Sequence, residues 1–240
     1  MSELFRMHAP TAIAVKSQHA YFRTLFWRER SDDEAEKALQ IVRRDGDAAA
    51  EEARLCLGDW SWAQGCELCA EHDLPFKIHT GLWGGNDRVP VDTIRSGNMC
   101  TLLAQHPETR FVLMHIAHPY SNELTALAKH YRNVYVDLCW AWSVDPFNAC
   151  DFVRHYLHAA PANKLFIFGG DTVFPAVTLG FSVQARRWLT RALEGEVADG
   201  LISEKEAIAL AGRLMEGNQY DCFRIESKRE NITASLNSAL

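Results

Sequence analysis

A chain of 240 residues is long enough to bury one sizeable core, and 48% apolar with 23% charged residues is the balance of an ordinary globular domain. A net charge of -6 offers no basic footprint for nucleic acid or for an anionic membrane surface, and no apolar run nears the roughly 20 residues that span a bilayer. Residues 1–16 lack the basic-then-apolar order of a secretory signal. The seven cysteines (Cys56, Cys66, Cys69, Cys100, Cys139, Cys150 and Cys222) are scattered as reduced thiols would be, so a cytoplasmic location is expected.

In chain order, the apolar run 11–15 predicts a strand ending at Lys16, and 17–30 reads as a long excursion of aromatics and arginines. Ser31 or Asp32 is placed to cap a helix over 33–44, with Ala35, Ala38, Leu39 and Val42 inward. Asp45-Gly46-Asp47 breaks it. A second helix is predicted over 48–72, irregular near Gly58, with Leu57, Trp60, Ala63, Cys66 and Ala70 on its apolar face.

The run 74–78 predicts a strand that delivers His79, followed by a glycine-rich loop carrying Trp83 and Arg88. A helix over 92–105 is stopped by His106-Pro107, and the strand 111–114 delivers His115. Ser121 is expected to cap a helix over 122–131, with Leu124, Leu127 and Ala128 inward. The strand 134–136 delivers Asp137 and opens into an aromatic segment with Trp140 and Trp142. A helix over 151–159 leads to the strand 165–168, which runs through Gly169-Gly170 to Asp171. Helices are predicted over 183–193 and 204–215, and the polar tail from about 227 is expected to fray. With no internal repeat, 1–240 reads as a single domain.

Strands alternating with helices predict a parallel α/β architecture, but five strands are fewer than the eight of a closed barrel. In a barrel the carboxyl ends share one rim, so His79, His115 and Asp171 would meet there and suggest a divalent-metal site. Imidazole and carboxylate ligands suit Zn²⁺, with Mn²⁺ or Fe²⁺ possible. Asp137 reads as an ion-pair partner, and Cys66-x-x-Cys69, inside a helical pattern with no second pair, as buried thiols. Trp83, Arg88, Trp140 and Trp142 either line a substrate pocket or close the mouth.

Lys16 after an apolar strand, Lys77-Ile78-His79-Thr80-Gly81, Val112-Leu113-Met114-His115 and Phe168-Gly169-Gly170-Asp171 stand in an order that resembles the carboxyl-terminal part of the amidohydrolase superfamily. The similarity is to its branch of metal-dependent hydrolases and decarboxylases. The resemblance implies a (β/α) TIM-type barrel represented by strands four to eight, a partial barrel. It implies His79 as a metal ligand, Asp171 as ligand and proton acceptor, and His115 as a ligand or an aid that polarises substrate. Lys16 stands where two-metal members carry a bridging lysine. The substrate expected is a small polar amide, ester or lactone; decarboxylation or sugar-acid isomerisation is the alternative on the same residues. The His-x-His pair of the family's first strand has no counterpart here, so a non-catalytic half-barrel is a third expectation. Open strand edges would favour pairing with another chain, and a homo-oligomer is expected.

Overall fold

The structure is a computed structural model and describes residues 1–82 and 90–238; Trp83 and Arg88 lie outside the described residues. Five strands form one parallel sheet: β1 (Val15–Ser17), β2 (Phe76–Ile78), β3 (Phe111–Leu113), β4 (Val134–Asp137) and β5 (Leu165–Phe166). Their spatial order is their chain order, β1-β2-β3-β4-β5, and the sheet is not closed. The helices are α1 (Ser2–His8), α2 (Asp32–Asp45), α3 (Glu51–Glu71), α4 (Cys100–Gln105), α5 (Ser121–His130), α6 (Ala141–Val144), α7 (Pro146–Ala159), α8 (Pro175–Ala198), α9 (Glu204–Gly212), α10 (Asn218–Phe223) and α11 (Ile225–Ser238). None of them is long and apolar enough to cross a membrane.

Register decides what each sheet face carries. Phe76 pairs with Phe111 and Phe111 with Val134, while Ile78 pairs with Leu113 and Leu113 with Val136. Because side chains alternate along a strand, these residues share one face, and they join the main core with Leu124, Val153, Tyr156 and Leu189 of the helices. The other face carries Lys16, Lys77, Val112, Tyr135, Asp137 and Phe166. There Val112 and Phe166 form a smaller core with Cys222 and Phe223, and Lys77 Nζ lies 2.8 Å from Asp137 Oδ2 and 5.6 Å from the Phe223 ring.

Several local expectations hold. Ser31 caps α2 in a capping box, accepting from the Glu34 N–H while Glu34 Oε2 accepts from the Ser31 N–H at 2.8 Å. Leu124, Leu127 and Ala128 are the buried face of α5, and Cys66 and Cys69 are buried in α3.

Others are corrected. The first strand starts later than the apolar run, because the Ala12 N–H is taken by the His8 carbonyl at 2.8 Å in the turn after α1. No break occurs at Gly58. The buried face of α3 is Ala53, Cys56, Asp59, Trp62, Cys66 and Cys69 rather than the more apolar stripe beside it. Asp59 turns inward because Arg23 Nη2 meets Oδ1 at 2.7 Å and Arg30 Nε meets Oδ2 at 3.2 Å. Arg23 passes directly over Gly58, where a Cβ would stand 2.6 Å from Nη1, so that glycine serves close approach and not a kink.

The expected helix over 92–105 is reduced to α4, preceded by two 3₁₀ turns (Val91–Ile94 and Ser96–Met99). Between them Arg95 is extended, and Glu123 of α5 accepts from the Gly97 N–H at 2.7 Å, a backbone donor that a helix would have used. Ser121 is the first residue of α5, not its cap, and has no capping bond. β5 stops early because the Ile167 N–H leaves the ladder for the Leu214 carbonyl. The polar tail is the helix α11, tied to the amino-terminal segment where Lys228 Nζ donates to the Ala9 carbonyl at 2.7 Å.

The excursion over 17–30 is thus pinned to α3 through a carboxylate that is only 2% exposed. Asp59→Ala removes the counter-charge of Arg23 and leaves Arg30 only Glu52, an exposed partner at 2.9 Å. We expect a loss of about 3–5 kcal/mol in urea unfolding, against little change for the exposed Asp33→Ala.

Candidate metal centre

The segments after β2, β3 and β5 bring His79, His115 and Asp171 together. His79 follows β2 and extends the ladder, its N–H donating to the Ser17 carbonyl at 3.2 Å. His115 follows β3 by two residues and opens a left-handed turn in which His115, Ile116 and Ala117 have φ of 59, 47 and 49°. Left-handed backbone costs about 1–2 kcal/mol per residue outside glycine, and most for a branched side chain such as Ile116. Gly81 makes the turn possible: with φ of 72° its missing Cβ would stand 2.6 Å from the His118 nitrogen. Trp140 (φ 62°) and Asp171 (φ 34°) are left-handed as well, so strained backbone gathers at this rim.

His79 and His115 are each 1% exposed, their rings 4.5 Å apart. His115 Nδ1 lies 2.6 Å from the Cys139 carbonyl and Nε2 lies 3.1 Å from His79 Nδ1. A carbonyl only accepts, so Nδ1 carries the proton of His115 and Nε2 is bare. His79 Nδ1–H then donates to it. Burial, with help from His115 and Lys16, pulls His79 down to about 3, and burial lowers His115 too, so both rings are neutral. The 3.7 Å approach of His115 Nε2 to Asp171 Oδ2 is therefore no ion pair.

Among the described residues, the buried atoms His79 Nε2 and Asp171 Oδ2 have no hydrogen-bond partner. Asp171 Oδ1 is held at 2.8 Å by Lys16 Nζ, and these two side chains are 25% and 28% exposed, so the site opens to solvent on their side. Bare imidazole nitrogen and carboxylate oxygen with no proton donor are what a divalent cation takes, and the donor set fits one. Tyr21 sets the edge of its ring against His79 at 4.6 Å; burial and the Asp171 charge raise its pKa.

The sequence-predicted residues thus divide. His79, His115, Asp171 and Lys16 come together. Trp140 stacks on His115 at 5.0 Å, with its indole nitrogen buried and unpartnered. Trp142 stands apart: it is 3% exposed in the core, its N–H on the Ile167 carbonyl at 2.9 Å, and the void beside it holds about 10 Å³, too small for a substrate. Asp137 pairs with Lys77, as its ion-pair reading expects. Cys139 was overlooked: its sulfur, His115 nitrogen and an Asp171 oxygen lie within 4.8 Å of one another. The available signal was Asp137-x-Cys139, which puts both side chains on one face of an extended strand.

The sequence profile of the amidohydrolase family matches residues 25–202. Protein fluG of Emericella nidulans is 26% identical over 238 residues, covering 94% of this chain and 27% of that protein. Among solved structures, a protein provisionally named a metal-dependent hydrolase from Lactobacillus casei ATCC 334 superposes with a TM-score of 0.77 at 18% identity, covering 94% of this chain and 60% of that one. The uronate isomerase of Thermotoga maritima superposes at 0.70 with 15% identity, covering 84% and 48%. This chain therefore spans about a quarter of the curated relative and 60% and 48% of the two solved ones. With the family profile covering most of its length, the chain belongs to the amidohydrolase family.

Proposed function

We propose that this chain carries the strand-four-to-eight part of a (β/α) barrel and acts as a metal-dependent hydrolase on a small polar amide, ester or lactone, in the cytoplasm. The observation that carries it is the pair of buried electron pairs, His79 Nε2 and Asp171 Oδ2, left bare on one rim. His79, His115 and Asp171 would hold the ion, zinc foremost. Once bound, such an ion polarises a carbonyl oxygen and acidifies water.

The chain's own groups do the rest. Lys16 fixes Oδ1 of Asp171, which leaves Oδ2 free to accept the proton of an attacking water. His115, with its proton committed to the Cys139 carbonyl, has no Nε2–H to offer a substrate, which favours the ligand role over the polarising one. The stacked Trp140 excludes water from one face of that ring. A sugar-acid isomerase is the second reading. It is supported by the likeness to two uronate isomerases and by the solvent-facing Lys16, a cation suited to a substrate carboxylate. A homo-oligomer, pairing the two open sheet edges, fits either reading.

A screen of a lactone, an aryl carboxylate and a uronate with added Zn²⁺, Mn²⁺ or Fe²⁺ separates the chemistries. Asp171→Asn is expected to lower kcat by about 10²–10⁴ with KM little changed. Unchanged turnover in that variant would remove Asp171 as the proton acceptor.

The neutral His79 also sets a pH dependence in the metal-free chain. Its folded value of about 3 lies below the ordinary 6.5, so between these limits the unfolded chain binds the extra proton. Stability therefore falls as pH falls from 6.5 toward 3, by at most about 1.4 kcal/mol per pH unit from this group, and is independent of it above that window. Urea unfolding across the window should give a shallower slope for His79→Gln; identical slopes would show that the ring already protonates when folded.

A further inference from the structure

We propose that Cys139 is a metal ligand, completing with His115 and Asp171 a thiolate–imidazole–carboxylate site for a divalent ion. This deepens the metal-dependent reading above and rests on it.

Four observations converge. The three ligand atoms lie within 4.8 Å of one another, against about 3.5 Å around a tetrahedral ion, so side-chain rotations of about an ångström close the site. Cys139 also supplies the carbonyl that holds His115 Nδ1–H at 2.6 Å, the kind of outer bond that orients a ligating imidazole through its other nitrogen. Its backbone is fixed in turn, with the Cys139 N–H on Asp137 Oδ1 at 2.8 Å. The thiol also has reserved space: a Cβ at Gly169 would come 3.0 Å from the Cys139 Cβ and 3.3 Å from its sulfur.

Two polar atoms favour a cation-binding role over a packed thiol. Asp171 Oδ2 is unpartnered within the cluster, and His79 Nε2, in a residue 1% exposed, is unpartnered beside it. Without an ion, burial holds Cys139 as a neutral thiol. An ion's charge reverses that balance: the S–H proton leaves to solvent as the sulfur–metal bond forms. Sulfur, nitrogen and oxygen donors together are a ligand set that suits zinc, with His79 Nε2 as a further nitrogen donor. A sulfur donor would also offset the absence of a His-x-His pair in this sequence.

Cobalt(II) titration of the full chain under reducing conditions is the test. Thiolate ligation gives a sulfur-to-cobalt charge-transfer band in the near ultraviolet, which imidazole and carboxylate ligands do not. We expect that band in the parent chain, its loss in Cys139→Ser and in Asp171→Asn, its retention in Cys66→Ser, and at least about 100-fold weaker cobalt binding in Cys139→Ser. Cobalt bound with no such band, or a band that survives in Cys139→Ser, overturns the cysteine assignment while leaving the metal-dependent reading intact. No cobalt bound at all overturns both. The parent spectrum alone decides on thiolate ligation should a variant fold poorly.

Discussion

The ion pair between Lys16 and Asp171 joins the first strand to the chain beyond the fifth. In a flat sheet those edges would stand four strand spacings apart, about 19 Å, well beyond the reach of a lysine and an aspartate together. Their 2.8 Å contact therefore requires the sheet to curl and the Gly169-Gly170 segment to fold back across its mouth. Lys77 and Asp137 pair two strands apart, with the carboxylate 3% exposed. Together the two pairs draw the polar face concave, so that strand ends converge instead of fanning apart. His79 and His115 meet because of that curvature.

Concavity also explains the state of the histidines. Rings drawn together at 4.5 Å and sealed from water cannot both carry charge, and the Cys139 carbonyl selects which nitrogen of His115 keeps its proton. One backbone oxygen thereby fixes two tautomers in series and leaves a bare nitrogen at the end of the chain, His79 Nε2. The left-handed turn at His115–Ala117 has the same origin. The turn, admitted by Gly81, sets His115 Nδ1 2.6 Å from the cysteine carbonyl. Strain of this kind persists only where surrounding packing over-determines it, and every residue of that turn is buried.

The strand ends were legible in the sequence because apolar runs of β propensity stop on an ionisable residue, a pattern that registers without knowledge of neighbours. His79, His115 and Asp171 each followed such a run. What escaped was set by distant partners. The inward turn of Asp59 depends on Arg23 and Arg30, so the more apolar stripe of α3 looked like the core face. The shortening of the 92–105 helix depends on Glu123, which lies in another helix. The helical tail depends on an acceptor more than two hundred positions away, at Ala9. Cys139 escaped for a different reason: a lone buried cysteine is nearly always packing, and only its position two residues after Asp137 sets it apart.

A sheet that is not closed has a second face to cover, and here the chain covers its own. Phe223, at the end of α10, sets its ring 5.5 Å from Phe166 and under the Lys77 ammonium, while Cys222 joins Val112 in the smaller core. The left-handed Arg224 then turns the chain into α11, whose Lys228 reaches the amino-terminal segment just before β1. An aromatic ring and a helix thus occupy that side of the sheet. That arrangement reconciles a sheet open at both edges with a polar, strained rim. The concave face is packed from below by the carboxyl-terminal segment, and the rim above it is free to hold bare electron pairs on the solvent side of Lys16 and Asp171.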